Sequence, residues 1–209
     1  MSQAERAIAA LEADRFGESL RFARSVLKSV PRLTVLSKVA GLACYKLGRW
    51  RDAVGLLRSY EDLTRDLELV PVLMDCYRAL GRRAKVAELF EDMRRSPVSQ
   101  TAMAEARIVA AGSLADSGDM GAAIGLLSAS VSKTIRNPAE RHLRQWYALG
   151  DLYERAGDLP RAREMFVRVA RSDPDAYDVA SRLEPLGRPR PRTRPRSGDG
   201  ARSKGSRRP

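Results

Sequence analysis

WYALGDLYERAGDLPRAREMFVRVARSDP, residues 146–174, is the stretch on which the reading of this chain turns. Trp146, Leu149 and Tyr153 recur at helical intervals, and Ala162, Phe166 and Val169 do so again after a break. The stretch therefore predicts two helices, each with one apolar stripe for the other to cover. Between them Gly157 ends the first helix and Asp158 offers a carboxylate cap to the second. Pro160 falls in the first turn of that second helix, where a missing N–H costs little. Gly150 and Ala162 are small where two helix axes must approach closely. The predicted unit is an antiparallel helical hairpin.

Trp146, Leu149, Gly150, Tyr153, Ala162, Phe166 and Pro174 stand at the spacing W-x2-L-G-x2-Y-x8-A-x3-F-x7-P. This resembles the tetratricopeptide repeat, a helix–turn–helix unit of about 34 residues, and in particular small bacterial adaptor proteins built from it. The same grammar runs backwards through the chain. Gly48, Gly81, Gly118 and Gly157 stand at inter-helix turns 33, 37 and 39 residues apart, followed by Ala53, Val86, Ala123 and Ala162. Asp14 takes the glycine's place ahead of Arg15 and Phe16, and Pro31 closes that first unit. The resemblance implies an all-α fold over residues 1–186: a right-handed superhelical solenoid of about five units, at about 1–33, 34–66, 67–100, 104–137 and 143–176. Only the fifth unit carries the full consensus. The second keeps Gly41, Tyr45, Ala53 and Leu57, the third Leu73, Tyr77 and Phe90, and the first and fourth rely on Ala, Leu and Val. Extra residues at 97–103 and 138–142 each contain a proline near the start, so neither stretch is expected to continue a helix. Residues 175–186 place Tyr177, Val179, Ala180, Leu183 and Leu186 at helical spacing and read as a capping helix, ended by Pro185 and Gly187.

Composition agrees: 44% hydrophobic with only 6% aromatic suits Ala/Leu-rich helical packing. No apolar run approaches the eighteen or so residues that a membrane span requires, and Glu5, Arg6, Glu12 and Asp14 give the start an amphipathic pattern unlike a signal peptide. The expectation is a cytoplasmic protein. Cys44 and Cys76 lie on apolar helix faces and read as buried thiols.

Charge is uneven. Of the formal +12, residues 188–209 hold nine basic residues against Asp199, a net of +8, which leaves +4 for residues 1–187. That end contains no aliphatic or aromatic side chain larger than alanine, so the sequence predicts a disordered basic tail. Arg188, Arg190, Arg192, Arg194, Arg196, Arg202, Lys204, Arg207 and Arg208 form a candidate strip for an anionic partner. With no aromatic among them, contact with RNA or DNA would be weak, electrostatic and independent of sequence.

Residues for chemistry are scarce. The single histidine, His142, sits in a charged run and reads as solvated; it, Cys44 and Cys76 lack zinc-ligand spacing. Neither a G-x-G-x-x-G nor a P-loop pattern occurs. Glu61-Asp62 and Glu91-Asp92 lie among basic neighbours and read as solvated helix faces. The expectation is no catalytic residue, no metal and no cofactor.

The resemblance also implies a concave groove lined by the first helix of each unit, with the second, fifth, ninth, twelfth and thirteenth places facing it. Those places hold Val35, Lys38, Leu42, Tyr45 and Lys46 in the second unit and Glu68, Pro71, Asp75, Arg78 and Ala79 in the third. The fourth supplies Glu105, Ile108, Gly112, Ala115 and Asp116, and the fifth Arg144, Tyr147, Asp151, Glu154 and Arg155, where four charges surround one aromatic ring. Members of the family that clamp acidic chaperone termini use asparagines where this chain has Leu42 and Asp75, so that specialisation is disfavoured. The leading function is a non-enzymatic scaffold or adaptor holding a peptide or helix of a protein partner. The alternative is a nucleic-acid-associated accessory factor working through the tail, and a third reading is self-association into a homo-oligomer.

Overall fold

The computed structural model describes residues 1–31, 33–131 and 135–187. All nine basic residues of the candidate tail strip, and the expectation of disorder there, lie outside the described residues. Within them the chain is all helical: α1 (Gln3–Glu12), α2 (Phe16–Leu27), α3 (Thr34–Lys46), α4 (Trp50–Thr64), α5 (Val70–Ala79), α6 (Arg83–Arg95), α7 (Gln100–Asp116), α8 (Met120–Ser128), α9 (Glu140–Arg155), α10 (Leu159–Ser172) and α11 (Val179–Leu186). None is long and apolar enough to cross a membrane.

Five tight turns join α1 to α2, α3 to α4, α5 to α6, α7 to α8 and α9 to α10, and all five share one backbone. Asp14, Gly48, Gly81, Gly118 and Gly157 take left-handed φ values of 55°, 69°, 70°, 88° and 78°. In each, the next N–H reaches back to a carbonyl of the preceding helix: Arg15 to Ala10, Arg49 to Cys44, Arg82 to Tyr77 and Asp158 to Tyr153, all at 2.8 Å, and Asp119 to Leu114 at 3.1 Å. This closes the helix end by satisfying a carbonyl that would otherwise have no partner. Glycine suits the left-handed position because it has no side chain to clash, and Asp14 serves there because a short polar residue tolerates it.

Each hairpin then closes by a buried pair across the two helices, in three of the five a small residue meeting a larger one. A Cβ on Gly150 would lie 2.7 Å from the Phe166 ring, and one on Gly41 would lie 2.8 Å from Leu57. These pairs stand seven residues before and nine after the turn; the same places hold Met74 with Phe90, Ala111 with Leu127 and Ala7 with Ala23, all buried. In the first hairpin the place of Ala162 is taken by Ser19, fully buried, whose hydroxyl donates to the Ala7 carbonyl at 2.8 Å. Of the consensus residues, Trp146, Leu149, Gly150, Tyr153, Ala162 and Phe166 are buried, while Pro174 is exposed.

The core falls into two clusters that meet inside α7, with Ala110 in one and Ala111 in the other. Ala102, Ala104, Ala106, Ala110, Ala111 and Ala115 are all buried, which explains the alanine content of this helix: with neighbours on nearly every side it has little room for larger side chains.

Helix boundaries depart from the sequence reading in three places. Residues 100–103 belong to α7, because Ser99 caps that helix by accepting the Ala102 N–H at 3.0 Å; the extra residues lengthen a helix. Similarly α9 starts at Glu140, inside the second stretch expected to be non-helical. The last helix begins at Val179, and Tyr177 precedes it at a φ of 56°. Pro185 does not stop α11 but sits in its last turn, where one lost hydrogen bond is tolerated. Cys44 and Cys76 are buried free thiols, and burial pushes the Cys76 thiol up to about 12.

Candidate functional site

Helices α3, α5, α7 and α9 present one face to a shared cavity of about 750 Å³. Each contributes because its opposite face is committed to the helical partner across the turn. Leu42, Tyr45 and Lys46 come from α3, Pro71, Val72, Asp75 and Arg78 from α5, Ile108, Val109 and Gly112 from α7, and Arg144, Tyr147, Ala148, Asp151, Leu152 and Arg155 from α9. Lys38 and Glu154 are candidates that do not line it. Lys38 instead lies 5.8 Å from the centre of the Tyr60 ring, and Glu154 faces Arg182 at 2.9 Å.

The charged groups along the groove answer one another in a ladder that crosses successive units. Tyr45 donates to Asp75 at 2.8 Å, and Arg78 bonds Asp75 at 2.8 Å and Asp116 at 2.7 Å. Arg155 follows at 3.9 Å from Asp116 and 3.7 Å from Asp151, whose other partner is Arg182 of α11 at 2.6 Å. On the other side Arg144 grips Glu105 with two bonds of 2.5 and 2.7 Å, and Glu68 accepts the Ser99 hydroxyl at 2.7 Å. Such partly exposed pairs individually contribute about 1 kcal/mol or less, so their effect is on register and polarity more than on stability. Burial first, then the bond to Asp75, raises the Tyr45 pKa, so its hydroxyl stays a donor.

Between these charges lies an apolar floor of Leu42, Val72, Ile108, Val109 and Leu152. At Gly112 the Arg78 side chain runs across the floor, its Cδ 3.6 Å from where a Cβ would stand, an ordinary packing distance.

Tyr147 differs from its sequence reading as an anchor ringed by four charges. Its ring centre lies 5.7 Å from Phe166 and 4.8 Å from Tyr177, with Arg182 at 5.9 Å. Its hydroxyl donates to Asp178 at 2.5 Å, and burial together with that bond pushes its pKa up to about 12. The segment leading into α11 thus holds the ring that sequence reasoning left open to a ligand. Tyr177 is fixed in turn by a 2.6 Å bond to Glu140. Extending the five-place register one unit further marks Asp178, which is the signal that was available; Arg182 had none.

His142 is also not simply solvated. It is half-buried, and its Nδ1 accepts the Ala139 N–H at 2.9 Å, capping α9. Burial, then the nearby Arg141 charge, holds its pKa below the usual imidazole value.

A sequence profile described as tetratricopeptide repeat matches residues 145–178, the turn and interlock described for α9 and α10. Over 88% of this chain and 96% of the other, the backbone follows TTC0263, a thermophilic TPR protein of Thermus thermophilus, with a TM-score of 0.69 at 19% identity. The fold is a tetratricopeptide-repeat solenoid. PilW, described as a widely conserved type IV pilus biogenesis factor, matches such a solenoid here with a TM-score of 0.66 at 17% identity, over 87% of this chain and 84% of that one. YrrB, described as a TPR protein with an unusual peptide-binding site, matches with 0.53 at 16% identity, over 86% and 89%. No curated protein matches the sequence.

Proposed function

We propose that this tetratricopeptide-repeat protein is a non-enzymatic scaffold whose groove holds the apolar face of a peptide or helix from a protein partner. The observation that carries the reading is the division of the groove itself. Its carboxylates and most of its cations already have partners within the chain, while the half-buried Leu42, Val72, Ile108 and Val109 of the floor are left to be covered. An occupant would gain by burying apolar side chains there, at about 25 cal/mol for each Å² removed from water, more than by adding charges to a ladder already matched. The peptide-binding site named for YrrB supports the same class of role. A display selection against the full chain tests it: ligands should carry apolar residues at helical or alternating spacing and lose binding to Ile108→Asp. Ligands that bind Ile108→Asp as tightly as the parent protein would place the site elsewhere.

A further inference from the structure

The five turns share one backbone, yet the residue after the left-handed position changes sign along the chain. It is Arg15, Arg49 and Arg82 in the first three and Asp119 and Asp158 in the last two. The aspartates turn inward to cap their helices, accepting the N–H groups of Ala122 and Arg161. The arginines make no such cap and leave their charge at the surface. Net charge follows the same division: residues 1–99 carry 18 basic and 13 acidic side chains, residues 100–187 carry 11 and 12. The excess of the body therefore belongs to the first three hairpins.

Around Arg49 this charge is concentrated. A recess of about 520 Å³ between α2 and the turn is lined by Arg21, Arg24, Ser25 and Lys28 as well as Arg49, and a second of about 380 Å³ joins it through Arg49 to reach Arg51. Asp52 is the carboxylate lining the pair, and it is shared by Arg24 at 2.9 Å and Arg49 at 2.6 Å. The bond from Arg49 is the first of the interactions that hold the Asp52 pKa below the usual range, so it is fully ionised and still outnumbered. The side chains of Lys28 and Arg51 make no ion pair or hydrogen bond among the described residues, and Arg21 stacks over Phe22 at 4.9 Å.

We propose that this edge, formed by Arg21, Arg24, Lys28, Arg49 and Arg51, is a docking strip for the phosphodiester backbone of a nucleic acid. Guanidinium forks match phosphate oxygens two at a time, and a run of them along one edge matches a repeating polyanion better than a single carboxylate. Trp50, the aromatic in the two recesses, is half-buried and packs edge-on against Tyr45 at 5.6 Å, so the contact rests on the cations and recognition is indifferent to sequence. The strip is separate from the groove, with no lining residue in common.

The test is fluorescence anisotropy with the full chain, a single-stranded oligothymidylate and a duplex, each of about thirty units, between about 50 and 200 mM salt. The triple variant R21Q/K28Q/R51Q should lose at least about tenfold in affinity at the low-salt end. Its log–log salt slope should flatten by roughly 0.7 on single strands, or 0.9 on duplex, for each phosphate that the variant no longer neutralises. R171Q, on the last turn of α10, should change neither. Separately, replacing the arginines at 188–196 by glutamine should weaken binding without removing the effect of the triple variant. Should the triple variant lose helicity, R51Q alone carries the test and should flatten the slope by roughly 0.7. Wild-type affinity and slope in the folded triple variant, with binding lost only on changing the tail, would overturn the proposal. So would polyglutamate of equal charge competing as well as the oligonucleotides.

Discussion

The hairpin of α9 and α10 and the hairpin of α7 and α8 have the same turn, closed in each by a hydrogen bond from the residue after the glycine, and opposite sequence characters. The first presents Trp146, Tyr153 and Phe166 in full consensus; the second closes with Ala111 and Leu127 and exposes mainly small residues along α8. What they share is the left-handed turn and a buried pair set seven residues before it and nine after. The groove divides them the other way. The recognisable hairpin has its groove aromatic, Tyr147, held by Tyr177 and Asp178, whereas α7 supplies the open floor at Ile108, Val109 and Gly112.

If the interlock is equally structural in both, truncating its large member should destabilise either hairpin. Phe166→Ala should cost about 3–5 kcal/mol, and Trp146→Ala a similar amount, because both rings are buried in close-packed surroundings. Leu127→Ala, removing a fully buried side chain, should cost about 2–5 kcal/mol. Urea midpoints for the three would check this, and a Leu127→Ala protein as stable as wild type would break the equivalence of the two hairpins.

Glycine substitutions sharpen the comparison with smaller effects. Gly150→Ala forces a Cβ to within 2.7 Å of the Phe166 ring and should destabilise by about 1–3 kcal/mol. Gly125→Ala in α8 meets nothing within 4 Å and should stabilise by roughly 0.5–1 kcal/mol, since glycine loses more freedom in a helix than alanine. Opposite signs in denaturant midpoint are the expected result.

The smallest effect concerns pH. The fold favours neutral His142, because burial first and then the Arg141 charge lower its pKa on folding, and the neutral ring is the form whose Nδ1 accepts the Ala139 N–H. Its contribution is present above the unfolded value of about 6.5 and is lost as pH falls through the lower folded value. Between about pH 7.5 and 5 the wild type should therefore lose more stability than His142→Gln, and parallel curves for the two would show that the cap does not titrate.

Most of the fold was legible because turn chemistry is local: Asp14 and the four glycines mark their turns without reference to anything distant. Helix ends were less legible, since Ser99 and His142 act through caps that extend α7 and α9 into stretches whose prolines argued for loops. The groove was legible by register as a set of places, and Leu42, Tyr45, Arg78, Ile108 and Gly112 are indeed brought to one cavity. Its polarity was not. Whether Arg78 faces a ligand or closes on Asp75 and Asp116 depends on the rotation between successive hairpins, which no single repeat encodes. The cover over Tyr147 was not legible for the same reason, because it comes from residues that follow the last full repeat.

Calorimetric titration of a display-selected peptide into wild type, Ile108→Asp and Tyr147→Ala tests most directly whether the open floor of α7 is where a partner sits. The account predicts that Ile108→Asp weakens binding by at least about tenfold, the scale of a central interface residue, while Tyr147→Ala, already held by its own chain, changes it by less than about threefold. Loss of binding in Tyr147→Ala with affinity retained in Ile108→Asp would contradict it.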